Sequence, residues 1–212
     1  MGNGTNTVQG NSYANSFIGG TGTDTLSYSE AASGVTVNVT SAGAGTSSGD
    51  GADVFTGFEN YTLSGNADII NLDVVHNGSI INGGIGIDTL NINGSGTIAS
   101  SDFNVSGFEY LNLSTGADVV TFTDKSSFDT FKSKFSSAID TKGGDDEFKF
   151  SSAITEDLDF TKISNLEKLT FSGSVDIVTF GTDEFNAGIK TLDLGNGQNK
   201  AYLNADTTSS VQ

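Results

Sequence analysis

Cysteine, proline, tryptophan and arginine are all absent from this chain of 212 residues, and these absences narrow what the protein can be. Without cysteine, the chain can form neither a disulfide nor a thiolate metal site. Histidine occurs once, at His76, which excludes a multi-histidine zinc centre and predicts a loop role for this residue. No nucleophile with a matching base is visible, so we expect a protein that is not an enzyme.

Positive charge is also missing from the first part of the chain. Lys125 is the first lysine, and the net charge of the whole chain is −17. This balance argues against nucleic acid and anionic membrane surfaces as partners. Carboxylates without internal counter-charges repel one another unless cations bind them. We therefore distinguish an acidic region, 1–124, from a lysine-containing region, 125–212, within one continuous domain.

Long apolar runs are the third absence. No stretch approaches the length of a membrane-spanning helix, so we expect no membrane insertion. No secretory leader is visible, and repeat-like sequence follows Met1 at once. We therefore expect this chain to be a piece of a longer protein.

Glycine is abundant, with 28 residues, and it occurs among many Ser, Thr, Asn and Asp residues. Short apolar runs alternate with these polar residues. In GVTVNVT (34–40), for example, Val35, Val37 and Val39 fall on one face. Alternation with a period of two and β-branched residues predicts strands, so the expected fold class is all-β.

A nine-residue repeat opens the chain as MGNGTNTVQ, GNSYANSFI and GGTGTDTLS. The sixth place in each row, which we call the acid position, holds Asn6, Asn15 and Asp24 in turn. Two places later each row has a single apolar residue. Complete copies return as SGDGADVFT (48–56) and GGIGIDTLN (83–91), with Asp53 and Asp88 at the acid position. Weaker copies place Asp68, Asp118, Asp146, Asp176 and Asn199 there.

A longer repeat overlies the first one. GFENYTLSGNADIINL (57–72) aligns without gaps on GFEYLNLSTGADVVTF (107–122), and SNLEKLTFSGSVDIVTF (164–180) is a third copy. Each copy is predicted to form a strand, a polar turn with an aspartate, and a second strand. The unequal intervals between similar units are typical of a solenoid whose turns differ in length.

The nonapeptide resembles the RTX repeat of type I-secreted bacterial proteins, GGxGxDxUx with U apolar. The longer units look like those interspersed in large RTX adhesins and S-layer proteins. The resemblance implies a parallel β-solenoid, a right-handed β-roll or β-helix, with Ca²⁺ held in stacked turns. It also implies that two nonapeptides make one turn, so that residues 18 apart stack. Asn6 would then lie beneath Asp24, with Asn15 on the opposite edge.

Calcium chemistry explains why this pattern needs glycine beside aspartate. Ca²⁺ takes six to eight oxygen ligands, many of them backbone carbonyls, and glycine lets a turn direct carbonyls inward. The candidate metal-binding residues are Gly20, Gly22, Asp24, Gly49, Gly51, Asp53, Gly84, Gly86 and Asp88, followed by Asp68 and Asp118. For Asp68, Asp118, Asp146 and Asp176 the favoured interpretation is capping of a turn through backbone N–H groups. Asn6 and Asn15 supply no charge, so a site between Asn6 and Asp24 is expected to be weak or to be an asparagine hydrogen-bond ladder.

One segment departs from the β pattern. KSSFDTFKSKFSSAID (125–140) has Phe128, Phe131, Phe135 and Ile139 at helical spacing. We predict a short amphipathic helix near 126–139, with a capping box of Ser126 and Asp129. Its phenylalanines should cover the sheet, while Lys132 and Lys134 face water.

The function that these features favour is structural. We expect a non-catalytic segment of a secreted protein at the bacterial cell surface, an adhesin or an S-layer subunit, which Ca²⁺ folds outside the cell. Its partners would be calcium ions and copies of itself in a lattice or fibre, or a cell-surface or glycan ligand. A carbohydrate- or ice-binding module is a second possibility, which needs a regular row of Thr, aromatic or Asn side chains, and the threonines show no repeating column. A calcium-binding module of a secreted enzyme is a third.

Overall fold

The computed structural model describes residues 2–40, 43–75 and 78–203, and most of its regular structure is β-strand. The strands in chain order are β1 (Thr7–Gln9), β2 (Ser16–Ile18), β3 (Thr25–Ser27), β4 (Thr36–Val39), β5 (Gly45–Ser48), β6 (Val54–Thr56), β7 (Asn60–Thr62), β8 (Ile69–Leu72), β9 (Ile81–Asn82), β10 (Thr89–Ile92), β11 (Thr97–Ala99), β12 (Val105–Ser106), β13 (Phe108–Asn112), β14 (Val119–Phe122), β15 (Phe135–Asp140), β16 (Glu147–Phe150), β17 (Ile163–Ser164), β18 (Lys168–Thr170), β19 (Ile177–Phe180), β20 (Thr191–Asp193) and β21 (Lys200–Leu203). The helices are α1 (Lys125–Ser133), α2 (Thr182–Ala187) and a 3₁₀ turn at Ser100–Asp102. His76 lies outside the described residues. The predicted all-β class is confirmed.

The chain divides into two compact units. The first comprises the described parts of Met1–Gly94, Asp102–Leu113 and Lys134–Ser137. The second comprises those of Ser95–Ser101, Ser114–Ser133 and Ala138–Gln212.

Two sheets build the first unit. One has the strand order β1-β3-β7-β9-β12 and is parallel throughout. The other runs β13-β10-β8-β4-β5-β6-β2, and β5 lies antiparallel to both of its neighbours. Thr7 on β1 pairs with Thr25 on β3, so the strands of the first and third rows stack 18 residues apart as predicted.

The second unit is also made of parallel strands. One sheet has the order β11-β14-β16-β18-β20, and β19 pairs with β21. β15 pairs with β17 at Ile139 and Ile163. Long connections between parallel strands are expected, because a tight hairpin can join only antiparallel strands.

The core of each unit includes the apolar residues two places after the acid position. These residues are at most 4% exposed: Leu26, Phe55, Ile70, Leu90, Val120, Phe148 and Val178. They stack across strands, as where Ile70 lies opposite Leu90. The predicted face of Val35, Val37 and Val39 is buried too. Each fully buried aliphatic side chain contributes about 1.5–3 kcal/mol.

The predicted helix at 126–139 is wrong in its second half. α1 ends at Ser133, and Phe135 and Ile139 belong to β15, where both are buried. Ser133, Ser136 and Ser137 favour the helix only weakly, because a serine side chain competes for backbone hydrogen bonds. Pairing of β15 into a sheet therefore outweighs the helical spacing of the apolar residues.

The start of α1 also differs from the prediction. Asp124, not Ser126, caps the helix: its Oδ1 accepts the Ser127 N–H at 2.9 Å, and its own N–H donates to Ser127 Oγ at 3.0 Å. Phe128 and Phe131 are buried as predicted and pack edge-on against Phe122. Lys132 does not face water, because its ammonium forms an ion pair with Asp159 and its side chain is 12% exposed.

Candidate functional site

The acid positions share one place in the fold, since each stands immediately before a strand. Asp24 precedes β3, for example, and Asp88 precedes β10. All the aspartates at these positions are at most 1% exposed: Asp24, Asp53, Asp68, Asp88, Asp118, Asp146 and Asp176. Carboxylates are seldom buried so completely without partners, so their contacts decide what they do.

Each of these aspartates makes the same kind of backbone bond. Its Oδ1 accepts a backbone N–H from the chain on its N-terminal side, and in six of the seven cases the donor stands in front of the adjacent strand; the exception is Ile154, which precedes no strand. The donors and acceptors are Asn6 to Asp24 (2.9 Å), Asn15 to Asp53 (2.9 Å), Val35 to Asp68 (2.6 Å), Asp68 to Asp88 (2.8 Å), Gly96 to Asp118 (3.0 Å), Asp118 to Asp146 (2.8 Å) and Ile154 to Asp176 (2.7 Å). Asn199 Oδ1 accepts the Asp176 N–H in the same way, at 2.8 Å. We call these contacts acid-position bonds.

Glutamates of the longer repeat continue the pattern. Glu59, Glu109 and Glu167 each use Oε2 to accept the N–H of an acid-position residue: Asp24 at 2.8 Å, Asp88 at 2.7 Å and Asp146 at 3.1 Å. Sequence reasoning missed these three glutamates. Their aligned places in GFENY, GFEYL and SNLEKL were the pattern that could have revealed them.

The second carboxylate oxygen separates the aspartates into two groups. In Asp68 it accepts the Ser64 N–H at 2.8 Å, and in Asp118 it accepts the Ser114 N–H at 3.0 Å, so these two cap their turns as expected. In Asp53 it accepts the hydroxyl of Tyr28 at 2.9 Å. In a second group this oxygen is buried without a hydrogen-bond partner: Asp24, Asp88, Asp146 and Asp176.

The predicted glycines have the conformation that the turns require. Gly20, Gly22, Gly49, Gly51, Gly84 and Gly86 all have positive φ, between 86° and 152°. A different constraint acts at Gly83, where a Cβ would lie 2.1 Å from the Gly107 carbonyl oxygen and 3.0 Å from Asp88 Oδ2. The unpartnered oxygen of Asp88 is thus directed at bare glycine backbone.

Burial raises the pKa of three of the four aspartates that have an unpartnered oxygen: Asp88, Asp146 and Asp176. For Asp88 the pKa is about 6: burial raises it, the Asp68 N–H opposes the rise, and the nearby Asp68 and Glu109 carboxylates add to it. For Asp146 burial likewise raises the pKa to about 6. These shifts express the cost of a buried negative charge that lacks a counter-ion.

The oxygen atoms at Asp24 and Asp88 supply part of what a cation site requires. Each offers one buried anionic oxygen without a partner beside a glycine-rich turn, and oxygen is the ligand that Ca²⁺ prefers. Asp53, Asp68 and Asp118 have both oxygens engaged and fit less well. The described residues contain no group of three or more His, Cys, Asp or Glu side chains that could hold a metal ion. Between β1 and β3, the Asn6 side-chain amide donates to Asp24 Oδ1 at 2.8 Å.

An asparagine row on the outer face of the first unit was also missed. Asn38, Asn71, Asn91 and Asn112 occupy matching places on β4, β8, β10 and β13. Their side chains bond in series, since Asn71 donates to Asn38 at 2.8 Å, Asn91 to Asn71 at 2.7 Å and Asn112 to Asn91 at 2.7 Å. Asn71 and Asn91 both follow an acid position by three residues, which the repeat pattern could have shown.

No family model and no curated protein matches this chain. In the part of the chain that the structure describes, no helix is long and apolar enough to cross a membrane.

Proposed function

We propose that this chain is a non-catalytic structural segment, a parallel β-solenoid that Ca²⁺ stabilises, from a secreted protein of the bacterial cell surface. The acid-position bond carries the proposal. The same contact recurs along both units, and in six of its seven aspartate cases it joins one strand to the next, so the most regular chemistry of the chain serves to hold strands in register. A carboxylate that accepts an N–H forms a charge-assisted bond, stronger than a neutral one.

The calcium part of the proposal rests on the buried negative charge that the acid-position bonds do not neutralise. Asp24 and Asp88 keep one buried anionic oxygen without a partner, and no lysine precedes Lys125. A cation there would offset the cost that raises the pKa of Asp88. With one or two carboxylates at each place, such sites bind weakly and need the calcium concentrations found outside cells. The resemblance to RTX repeats supports export from the cell and a role as part of an adhesin or an S-layer protein.

Thermal melting followed by circular dichroism tests this proposal, in EGTA and in millimolar Ca²⁺. The unchanged chain should melt at a higher temperature with Ca²⁺. Asp88→Asn keeps an oxygen that can accept the Asp68 N–H and removes the anionic charge. In EGTA this variant should have a melting temperature no lower than that of the unchanged chain. Most of the rise in melting temperature that Ca²⁺ gives the unchanged chain should be lost.

Asp118→Asn is the matched control. Both oxygens of Asp118 accept hydrogen bonds, and Asp118 is not among the carboxylates that raise the pKa of Asp88, so this change should cost about 1–3 kcal/mol in both conditions and leave the calcium-dependent rise in melting temperature intact. If the melting of the unchanged chain ignores both EGTA and Ca²⁺, the calcium part of the proposal is wrong. Lattice or fibre formation on adding Ca²⁺ would favour the S-layer role over the adhesin role.

A glycan-binding module is the second candidate, because the asparagine row supplies the regular face that such a module needs. Asn71, Asn91 and Asn112 each give one amide N–H to the preceding asparagine of the row, so the other N–H of each remains available, and parallel strands space the amides about 4.8 Å apart. A parallel row of Thr36, Ile69, Thr89 and Tyr110 lies beside it. Binding in a glycan array that Asn91→Ala abolishes without lowering the melting temperature would favour this candidate over a scaffold.

A further inference from the structure

The helix α2 (Thr182–Ala187) depends on contacts with the rest of the second unit, because isolated helices shorter than about 12 residues are marginal in water. Ala187 is fully buried, and its carbonyl oxygen accepts the Leu166 N–H at 2.9 Å. Asp183 Oδ2 accepts the Phe160 N–H at 2.8 Å. Loss of these contacts would therefore unfold the helix.

Glu184 places a carboxyl group in the apolar interior beneath α2. It is 3% exposed and lines a cavity that is too narrow to hold a water molecule. The other residues that line this cavity are uncharged: Leu158, Phe160, Leu169, Phe171, Val178, Thr179 and Phe180. The strand β17, which α2 also contacts, contributes Ile163 and Ser164, and neither can ionise. On this side an ionised Glu184 would meet neither water nor a cation, and burial of such a charge is costly.

A second carboxyl group lies on the other side of Glu184. Glu184 Oε2 accepts the Gly181 N–H at 2.7 Å. Burial is the main reason that the pKa of Glu184 is raised, and the neighbouring Asp183 carboxyl group adds to the rise. Asp183 also lines an open cleft of about 570 Å³, together with Asp157 and Asp159. The surroundings of α2 are therefore either apolar or acidic.

The lysines of the surrounding segments do not offset this charge. They pair with other acids: Lys132 with Asp159, Lys168 with Glu147 and Lys190 with Glu167. Lys162, next to β17, is exposed. Among the described residues no lysine forms an ion pair with Asp183 or Glu184, so ionisation of Glu184 adds a charge that repels Asp183.

Glycines stand at both ends of α2. Gly181 precedes the helix and Gly188 follows it, with a φ of 101° at Gly188. Glycine changes its backbone conformation at little steric cost, so residues of this kind can act as hinges. Movement of the helix can therefore be confined to residues 181–188.

We propose that residues 181–188, which comprise α2 and the glycines at its ends, form a pH-operated clasp. The clasp is docked on the second unit while Glu184 is protonated and is released when Glu184 ionises. Ionisation passes the proton to water and leaves a negative charge beside Asp183 in a water-free cavity, and release of the helix moves that charge into solvent.

Release of the clasp changes the surface of the second unit. It uncovers the apolar lining of the cavity, including Phe160, Phe171 and Phe180, which the docked helix covers in mild acid. Local unfolding of this kind needs only the contacts of one short element to be lost. The inference goes beyond the proposed structural function, and none of the candidate calcium ligands takes part in it.

Hydrogen exchange measured by NMR spectroscopy between pH 5 and pH 8 tests the clasp, with exchange rates corrected for their intrinsic dependence on pH. The reporters are the amides of Phe160, Leu166 and residues 182–188. Their protection should fall about tenfold for each pH unit between pH 5 and pH 7 and then level off, because opening releases one proton. The amide of Phe148, in the core strand β16, should stay more protected than these reporters throughout.

Glu184→Gln keeps an oxygen for the Gly181 N–H and cannot ionise, so the protection of its clasp should not fall with pH. Glu156→Gln is the matched control, because Glu156 is an exposed carboxyl of the same unit, and its response to pH should equal that of the unchanged chain. Asp183→Asn keeps an acceptor for the Phe160 N–H and removes the neighbouring charge, so its fall in protection should be smaller.

Three results overturn the inference. They are clasp protection that does not change with pH, clasp protection equal to that of Phe148 at every pH, and an equal fall in the unchanged chain and in Glu184→Gln. A fall in Asp183→Asn as large as that of the unchanged chain contradicts the repulsion on which the clasp depends. The response should be the same in EGTA and in millimolar Ca²⁺, so failure of the calcium proposal and failure of the clasp are distinguishable.

Discussion

At the scale of single residues, the acids of this chain act first as acceptors for the backbone. A strand that begins at the edge of a turn has an N–H without a partner in its own sheet ladder, and an unpaired buried N–H costs about 1–3 kcal/mol. Asp68 Oδ1 meets this need for Val35, and Asp88 Oδ1 does so for Asp68. The aspartates are therefore buried because the backbone requires an acceptor there.

Glu109 provides a test of this role. Its Oε2 accepts the Asp88 N–H at 2.7 Å, and its charge contributes to the raised pKa of Asp88. Glu109→Ala should lower the free energy of unfolding by about 1–3 kcal/mol, because it leaves a buried N–H unpaired. Glu109→Gln keeps an acceptor and removes a repulsive charge, so its cost should be smaller. Urea denaturation measures both, and equal losses would show that charge, not acceptance of the N–H, is what matters.

At the scale of elements, the segment around α1 shows how tertiary pairing competes with local pattern. The helix has its aromatic stripe and its cap, and Phe128 and Phe131 pack into the second unit. It nevertheless stops at Ser133, where the chain enters β15. A helical spacing of apolar residues continues across this point, so the spacing alone places the end of the helix too late.

The cap of α1 gives a second prediction. Asp124→Ala removes the acceptor of the Ser127 N–H and should cost about 1 kcal/mol of stability. Ser126→Ala is its matched control, because Ser126 is the cap that sequence favoured and the structure does not use it. Chemical denaturation of the two variants measures the difference, and a larger loss in Ser126→Ala would place the cap at that residue.

At the scale of the whole molecule, repulsion between the many negative charges destabilises the folded chain. The net charge is −17, and the residues before Lys125 contain no cationic side chain. The free energy of unfolding should therefore depend on pH through each buried acid whose pKa is raised. Such an acid makes the folded chain less stable as pH rises and it ionises, which an ordinary surface carboxylate does not do.

Glu184 makes this dependence measurable away from the calcium candidates. It is 3% exposed, and burial, with Asp183 beside it, raises its pKa to about 7, although the Gly181 N–H works in the opposite direction. The folded chain thus binds this proton more tightly than the unfolded chain does. The stabilising contribution is present below the ordinary pKa of a glutamate and is lost as pH rises towards 7.

Glu184→Gln removes this titration and keeps an oxygen for the Gly181 N–H. Urea denaturation between pH 4.5 and pH 8 should show near-equal stability of the two chains at the acid end and greater stability of the variant at pH 8. A stability difference that does not change with pH would show that Glu184 titrates as an ordinary carboxyl.

The sequence by itself determined the strand class and the inward apolar residue two places after each acid position. These follow from local periodicity, which acts through neighbouring residues. The stacking of residues 18 apart at β1 and β3 was implied by the resemblance to RTX repeats. Only the tertiary structure decided where each carboxylate oxygen goes, that Glu59, Glu109 and Glu167 continue the acid-position bonds, and that four asparagines form one row. Apart from the bonds of Asp68 and Asp118 within their own turns, those contacts join residues 18 to 38 apart in the chain. They depend on which strands become neighbours. Because the intervening turns have unequal lengths, no fixed period in the sequence predicts those neighbours.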